Sequence, residues 1–526
     1  MRKFNHILVI ALAVFFSACN NWLDLMPEGQ ATSEELFKSG DGYRSVLSGV
    51  YKAMSVPSLY GVDLQFGMVD CMSRQYTWNW QYQPKDNRYR DAREFKYEST
   101  NLRPAIDGLW KDAFNVIANA NNLIQNAEQA SPELFYGKDV ERKMILGEAY
   151  ACRALMHFDL LRLFAPAMVH VDDDPGNFVP YVETYPEIQA NGIAVRPFLE
   201  KVERDLLKAR ELVAEFDTTS LGQTLCASGN VRFYADFNGL FGLEGAADPD
   251  VIDDFYKGRG YHLNYYAVTA LLARVYQYAG KHQEAYEMAT EVMEAKANGV
   301  NVSYEMFTKD DFGGITYRDD PEQREDLKVV SNLIFALYNE RAYEDNSLGS
   351  FFQKRQDGMS EGNWLVFDME GQEIFKSVDG EDEQESDARR YLIFEAGYHP
   401  ISAKWYCHED KLKRDKNVTI LPVIRATEMR YIIAEYHARQ GNFTEAFNVL
   451  NQIRQNRNLW TPIEVKSSLP EFLKYLIKDA QREWMSEGQL FYLYKRLDAP
   501  VKLELNETRP LNKSEYRLPI PDDQAM

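Results

Sequence analysis

PVIRATEMRYIIAEYHARQGNFTEAFNVLNQIRQNR, residues 422–457, is the stretch whose reading decides the fold. Met429, Ile432, Ile433 and Tyr436 recur at the spacing of one helix face. Gly441 breaks the run, and Ala446, Val449, Leu450 and Ile453 form a second face. The same design stands 441 − 280 = 161 residues earlier, with Val268, Leu271, Leu272, Val275 and Tyr276 before Gly280, then Ala285, Met288, Ala289, Val292 and Met293. Glu284 and Ala285 answer to Glu445 and Ala446, and Ala273 to Ala434. A small residue where two helices approach, a Gly turn and an early Ala in the second helix describe a tetratricopeptide-type hairpin. A hairpin of this kind buries its apolar face only against a neighbour, so the helices should stack into one right-handed superhelical array.

Outward from these hairpins (262–297 and 423–456), weaker helical patterns cover roughly 109–128, 139–164 and 197–216. Between them lie 55–104, 165–195, 217–261 and 298–422, rich in Gly, Asp, Asn and aromatics, with patches of strand-like alternation. Irregular segments this long are uncommon unless they serve a function. The expectation is a mainly α protein: a tetratricopeptide-like helical-hairpin superhelix with long irregular loops and a few short strands. Its N-terminal helical part would run over 19–220 and its C-terminal part over 221–526, the latter containing the loop-rich insertion 298–422.

Residues 1–18 have the layout of an export signal: Arg2 and Lys3, an apolar run over 7–16, then Ser17 and Ala18 before Cys19. About ten apolar residues are too few to cross roughly 30 Å of hydrocarbon as a mature helix. The small residues followed at once by Cys specify a bacterial lipoprotein signal, with Cys19 lipidated and membrane lipid as its partner, which the family resemblance given below places in the outer membrane. Cys71, Cys152, Cys226 and Cys407 are scattered without a CxxC pair and do not form a disulfide framework. Cys152 falls among apolar helical positions and reads as a buried thiol.

Five stretches, in order, carry a family resemblance. NNWLDLMPEGQAT follows Cys19; ACRALMHFDLLRLFA begins at Ala151; the quoted hairpin begins at Pro422 and ends in Asn-x-x-Arg; REWMSEGQLFYLYKR begins at Arg482; YRLPIPDDQ begins at Tyr516. With the lipid Cys, these resemble the SusD/RagB family of Bacteroidota outer-membrane nutrient-binding lipoproteins along nearly the whole chain. Gln489, Leu490 and Leu493 depart from its pattern, at scaffold positions. The resemblance implies a helical scaffold whose loops bind a glycan or, in some members, a peptide. It also implies an outer-membrane location facing the exterior, and a SusC-like TonB-dependent transporter over which the lipoprotein sits as a lid.

For the ligand, residues 60–97 are the leading candidate. Tyr60, Phe66, Tyr76, Trp78, Trp80, Tyr82, Tyr89, Phe95 and Tyr97 are interleaved with Gln65, Gln75, Asn79, Gln81, Gln83 and Asn87. Aromatic faces cover the apolar C–H patches of a sugar, and planar amides satisfy its hydroxyls. Trp78, Asn79, Trp80 and Tyr82 are therefore expected to contact a neutral oligosaccharide. The same alternation also fits a strand pressing its aromatics into the helices. Residues 351–364 read as a loop with aromatic tips, adding Trp364. Residues 398–406, with Lys404 and Trp405, look like a packed strand, and Asp387 with Arg389 and Arg390 like a structural motif of the family.

Catalytic and metal readings are weak. The histidines are isolated, there is no HExxH, GxSxG or Walker A pattern, and Cys407-His408-Glu409-Asp410 is too compact to converge on one ion. No cofactor and no metal are expected. The acidic run over 379–387 lacks the alternating calcium-loop pattern and reads as a solvated loop. A peptide ligand in the same lid role and, less favoured, a surface glycoside hydrolase are the competing functions.

The chain has 59 basic and 80 acidic residues, a balance of −21, which argues against nucleic acid as a partner. Residues 370–387 carry eight acids and one Lys, net −7, and 244–254 five acids and no base, net −5. Asp172, Asp173 and Asp174 add −3, and 305–326, with eight acids and three bases, another −5, a total of −20. The surplus therefore belongs to the excursions and is expected to be solvated, leaving the helices close to neutral.

Overall fold

The structure, a computed structural model, describes residues 33–522 apart from 79–85, 188, 237–251, 299–302, 309–323, 325, 353–363, 397–398, 407–415 and 505–506. Ten helices carry it: α1 Gly40–Met54, α2 Arg103–Gln129, α3 Lys138–Phe164, α4 Val195–Asp217, α5 Tyr265–Ala279, α6 His282–Met293, α7 Ala426–Arg439, α8 Phe443–Gln455, α9 Leu469–Glu483 and α10 Leu490–Leu497. Each packs on the next in order, so the array is serial as a solenoid is, and mainly helical as the periodicity requires.

The two diagnostic hairpins form where the sequence places them. Gly280 and Gly441 turn the chain with φ of +77° and +76°, a left-handed conformation that only Gly adopts without strain. Asn264 caps α5 by accepting from the Ala267 N–H at 2.9 Å, and Asn442 caps α8 through the Glu445 N–H at 3.3 Å. Although the insertion separates them in sequence, the hairpins adjoin: α6 lies on α7, with Tyr286 stacked on Tyr436 at 4.2 Å. At the α3–α4 contact, a Cβ on Gly147 would meet Val213 Cγ1 at 2.7 Å, so Gly sets how closely those helices approach.

α3 is the central helix. From Met144 to Phe164 every residue but Tyr150 is buried, charged ones included. Those charges are paired rather than bare, as burial demands. Arg153 holds Asp205 at 2.7 Å, and Arg162 pairs with Asp159. Glu148 meets Arg259 at 3.0 Å and His262 at 2.8 Å, and is held down to about 2, His262 and Arg259 outweighing its burial. Cys152, with Cys71 and Cys226, is a buried free thiol.

The insertion is bound to the helices by two devices. Strand β1, Leu333–Tyr338, pairs antiparallel with β4, Ile420–Arg425; between them in sequence β2, Ile393–Ala396, pairs with β3, His399–Ser402. The second device is a buried ion network that joins Asp387 and Arg389 to Asp479, Glu483 and Arg482 of α9, and to Arg457. Asp387 and Arg389 are thus structural, as the family motif suggests, whereas Arg390 is exposed and pairs with Glu385. The acidic run is only partly solvated, a correction to its reading as a loop. Glu383 and Asp387 are buried because Arg454, Arg482 and Arg389 are there to receive them. Asp174, likewise buried, holds Lys513 and Arg517.

Candidate ligand-binding site

Most aromatics of residues 60–97 face inward. Tyr60, Phe66, Tyr76, Tyr89 and Tyr97 are buried, and Phe95 is half-buried. Phe66 sits edge-on to Trp405 at 4.9 Å and to Phe352 at 4.8 Å. Tyr60 donates its hydroxyl to Asp159 at 2.5 Å, and Tyr76 to Asp70 at 3.0 Å. These buried aromatics come mostly from short helices and turns, and the alternating run that begins at Trp78 is described only at Trp78 itself. Trp78, like Phe95, is half-buried and packs on the core. Asn79, Trp80 and Tyr82 lie outside the described residues, as does Cys19.

The structure brings two of the sequence-selected segments together. Tyr76 bridges Phe367 antiparallel; Thr77 N–H donates to Val366 O at 2.8 Å, and Asp368 N–H to Gln75 O at 2.8 Å. Phe367 N–H in turn donates to Pro400 O at 2.8 Å, which ties the pair to β3. The pairing ends at Thr77 with Val366, and Trp78 follows it directly in sequence. Trp364, only 5% exposed, lies edge-on to His399 at 5.5 Å. Phe351 and Phe352 are buried in a short helix, Leu348–Phe352. The reading of 351–364 as a loop with aromatic tips is therefore corrected at both described ends, because Phe66 and Tyr89 offer rings for those side chains to pack on. Residues 398–406 are the packed segment expected, with Trp405 buried and Lys404 donating to Glu483 O and Glu487 Oε1 at 2.7 Å each.

Polar groups on the paired segments are unevenly satisfied. Gln65 donates its amide to Pro422 O. Gln75, fully buried beside Tyr76, has no protein partner for either end of its amide, and neither does the indole N–H of Trp364. Such groups are costly to bury and mark places where a further partner is needed. Sequence pattern did not single out Gln75 among six amides; what distinguishes it is its strand partner in the distant insertion.

The electrostatics are mild. Arg74 is buried and donates to the carbonyls of Arg93 (2.8 Å) and Leu503. Arg88 pairs with Asp86 at 2.9 Å and Asp63 at 3.7 Å. Burial pushes the Asp70 carboxyl up to about 7, against the hydrogen bonds it receives from Tyr76 and the Ser486 N–H. Among the described residues, no group of three or more His, Cys, Asp or Glu is placed to hold a metal ion, and no helix is long and apolar enough to cross a membrane.

Comparison with known proteins fits this arrangement. Residues 21–225 match a SusD-like family described as "Starch-binding associating with outer membrane". The SusD-like protein P2 of Formosa agariphila is 26% identical over 166 residues, 31% of this chain and 30% of that relative's length. A SusD-like carbohydrate-binding protein from Bacteroides vulgatus superposes with a TM-score of 0.62 at 16% identity, covering 92% of this chain and 96% of that one. A SusD superfamily protein of Bacteroides thetaiotaomicron gives 0.60 at 21%, over 91% and 92%. A laminarin-binding SusD-like protein gives 0.60 at 17%, over 93% and 97%. At these identities the superpositions establish a shared fold.

Proposed function

We propose that this SusD-like family protein is a non-catalytic glycan-binding lipoprotein of the outer membrane, anchored through Cys19 and acting as the lid of a SusC-like TonB-dependent importer. The observation that carries the binding reading is Trp78, half-buried at the end of the short pairing of residues 75–77 with 366–368, a segment on which the Gln75 amide and the Trp364 indole N–H lack partners among the described residues. Trp78, Asn79, Trp80, Tyr82 and Trp364 are the proposed contacts. An aromatic platform flanked by amides suits a neutral sugar ring, whose C–H face stacks while its hydroxyls pair. Family membership, together with the wording of the matched family and of the laminarin-binding relative, supports a neutral oligosaccharide as ligand and the outer membrane as location. The lid role and the lipid anchor rest on the family resemblance and on the signal sequence before Cys19.

Calorimetry against malto- and laminari-oligosaccharides tests the binding reading. Saturable binding is expected with at least one panel member, weakened about tenfold by Trp78→Ala, or roughly 1.4 kcal/mol, within the range for a single aromatic contact. Binding unaffected by Trp78→Ala and Trp80→Ala would remove this site. Co-purification of a barrel transporter from native membranes tests the lid role.

A further inference from the structure

A small cleft of about 60 Å³, open to solvent on one side, lies between side chains of α3, α5, α7 and α10. Phe158, Tyr431 and Trp484 form its apolar walls. Five polar atoms that face it have no protein partner: Arg162 Nε, Arg274 Nη1, Gln277 Nε2 and the hydroxyls of Tyr278 and Tyr492. All five residues are at least 95% buried.

The partners these residues do have show what remains available. Arg274 spends Nε and Nη2 on the two oxygens of Glu428 at 2.7 and 2.6 Å, and Nη2 also reaches Val423 O at 2.8 Å. Arg162 spends Nη2 on Asp159 and Nη1 on Gln489 Oε1 at 3.2 Å, while its guanidinium lies 3.8 Å above the Tyr492 ring. The Glu435 carboxylate is taken by Arg496 at 2.9 and 2.6 Å and by Arg439 at 2.8 Å. Gln277 Oε1 meets His282 Nδ1 at 3.1 Å, which leaves its amide nitrogen over. The carboxylates of the cleft are thus already occupied. The surplus consists of three N–H donors and two hydroxyls, both kept protonated by burial.

A buried site with three surplus N–H donors, and no free carboxylate among its lining residues, is complementary to an acceptor-rich anion. The geometry points to a binding site for a small carboxylate, its oxygens received by Arg162 Nε, Arg274 Nη1 and Gln277 Nε2, with the two tyrosine hydroxyls completing the shell. The aromatic walls favour a carboxylate on a small carbon skeleton over a bare inorganic ion. The site shares no residue with the Trp78 strand and does not depend on the glycan reading.

The test titrates the full chain, in detergent, with D-glucuronate and acetate, using D-glucose as the neutral counterpart. Gln277→Leu combined with Tyr492→Phe removes two of the unpartnered atoms at the cost of one part-buried hydrogen bond, that of Gln277 Oε1 with His282 Nδ1, so the variant should fold. Saturable glucuronate binding by calorimetry is expected, weakened at least tenfold in the double variant, unchanged by Trp78→Ala and absent with glucose. Failure of both carboxylates to bind at 10 mM or so, equal binding of glucose, or unchanged affinity in the double variant would each overturn the assignment. Failure of the glycan reading would appear separately, in the response to Trp78→Ala.

Discussion

Replacing Arg389 with Met tests whether the insertion is held by charge or by packing. Arg389 is fully buried: Nε and Nη2 hold the two oxygens of Asp387 at 2.9 and 2.8 Å, Nη2 also reaches Asp479 Oδ1 at 2.9 Å, and Nη1 lies 3.4 Å from Glu483 Oε2. Met fills similar space but brings no charge. Removing one member of a buried ion group costs about 3–5 kcal/mol, because its partners stay behind in a dry site. Here none of them is left bare. Asp387 keeps Arg482 at 3.0 Å, Asp479 keeps the Tyr431 hydroxyl at 2.5 Å, and Glu483 keeps Arg457 at 2.6 Å. The expected loss is therefore at the lower end, about 3 kcal/mol. For a cooperative unit of roughly 500 residues, whose unfolding entropy is about 1 kcal/mol/K, this lowers Tm by about 3 °C. The readout is urea unfolding combined with amide exchange resolved along the chain. Exchange should rise first over residues 374–392, the segment that Arg389 fastens to α9. Acid adds a sign: the arginines, chiefly Arg389 for Asp387 and Arg457 for Glu483, outweigh burial and hold both carboxylates below their usual range. Their contribution is complete above the unfolded-state pKa values near 4 and is lost as pH falls through the folded ones, so the gap between wild type and variant should narrow below pH 4. A loss under about 0.5 kcal/mol, or a gap that widens in acid, would refute the reasoning.

The remaining predictions concern other buried groups. Asp70, raised by burial to about 7, makes the fold less stable as pH climbs from about 4 to 7, by up to about 4 kcal/mol. Asp70→Asn should flatten that decline in urea midpoints taken between pH 5 and 8, and parallel profiles would count against it. His157 is held down to about 3, mainly by burial, while its Nδ1 meets Arg153 O at 2.9 Å and its Nε2 accepts from Val182 N–H at 3.0 Å. Protonation of the unfolded-state imidazole should therefore lower stability as pH drops below 6.5, and His157→Gln, compared in an Asp70→Asn background because Asp70 titrates in the same window, should remove the part seen between pH 6.5 and 5. Gly147→Ala would press a methyl on Val213 and should cost about 1–3 kcal/mol in thermal or urea unfolding, whereas unchanged stability would mean that α3 and α4 can separate freely.

The scaffold was legible because its signal is local. An apolar face recurring every three or four residues, ended by Gly, needs no knowledge of distant chain, and both hairpins stand where that pattern put them. Much of the candidate site was not legible, because alternating aromatics and amides look alike in a sugar platform and in a packed strand. What separates the two is the supply of partners from elsewhere. Phe66, Tyr76 and Tyr89 found Trp405, Phe367 and Phe351, all from the insertion, and so became core. The acidic run misled for the same reason: Glu383 and Asp387 are buried only because α8 and α9 present Arg454 and Arg482 to them.

α10 lines one cleft together with side chains of α3, α5 and α7. Its Tyr492 packs against the Arg162 guanidinium and its Arg496 pairs with Glu435 of α7, so the helix is held by charge as well as by apolar contact. The proposed carboxylate site lies in that cleft, among helices, whereas the proposed glycan site lies at the end of the short pairing that the first excursion makes with the insertion. The two proposals share no residue, so each is separable from the other by mutation.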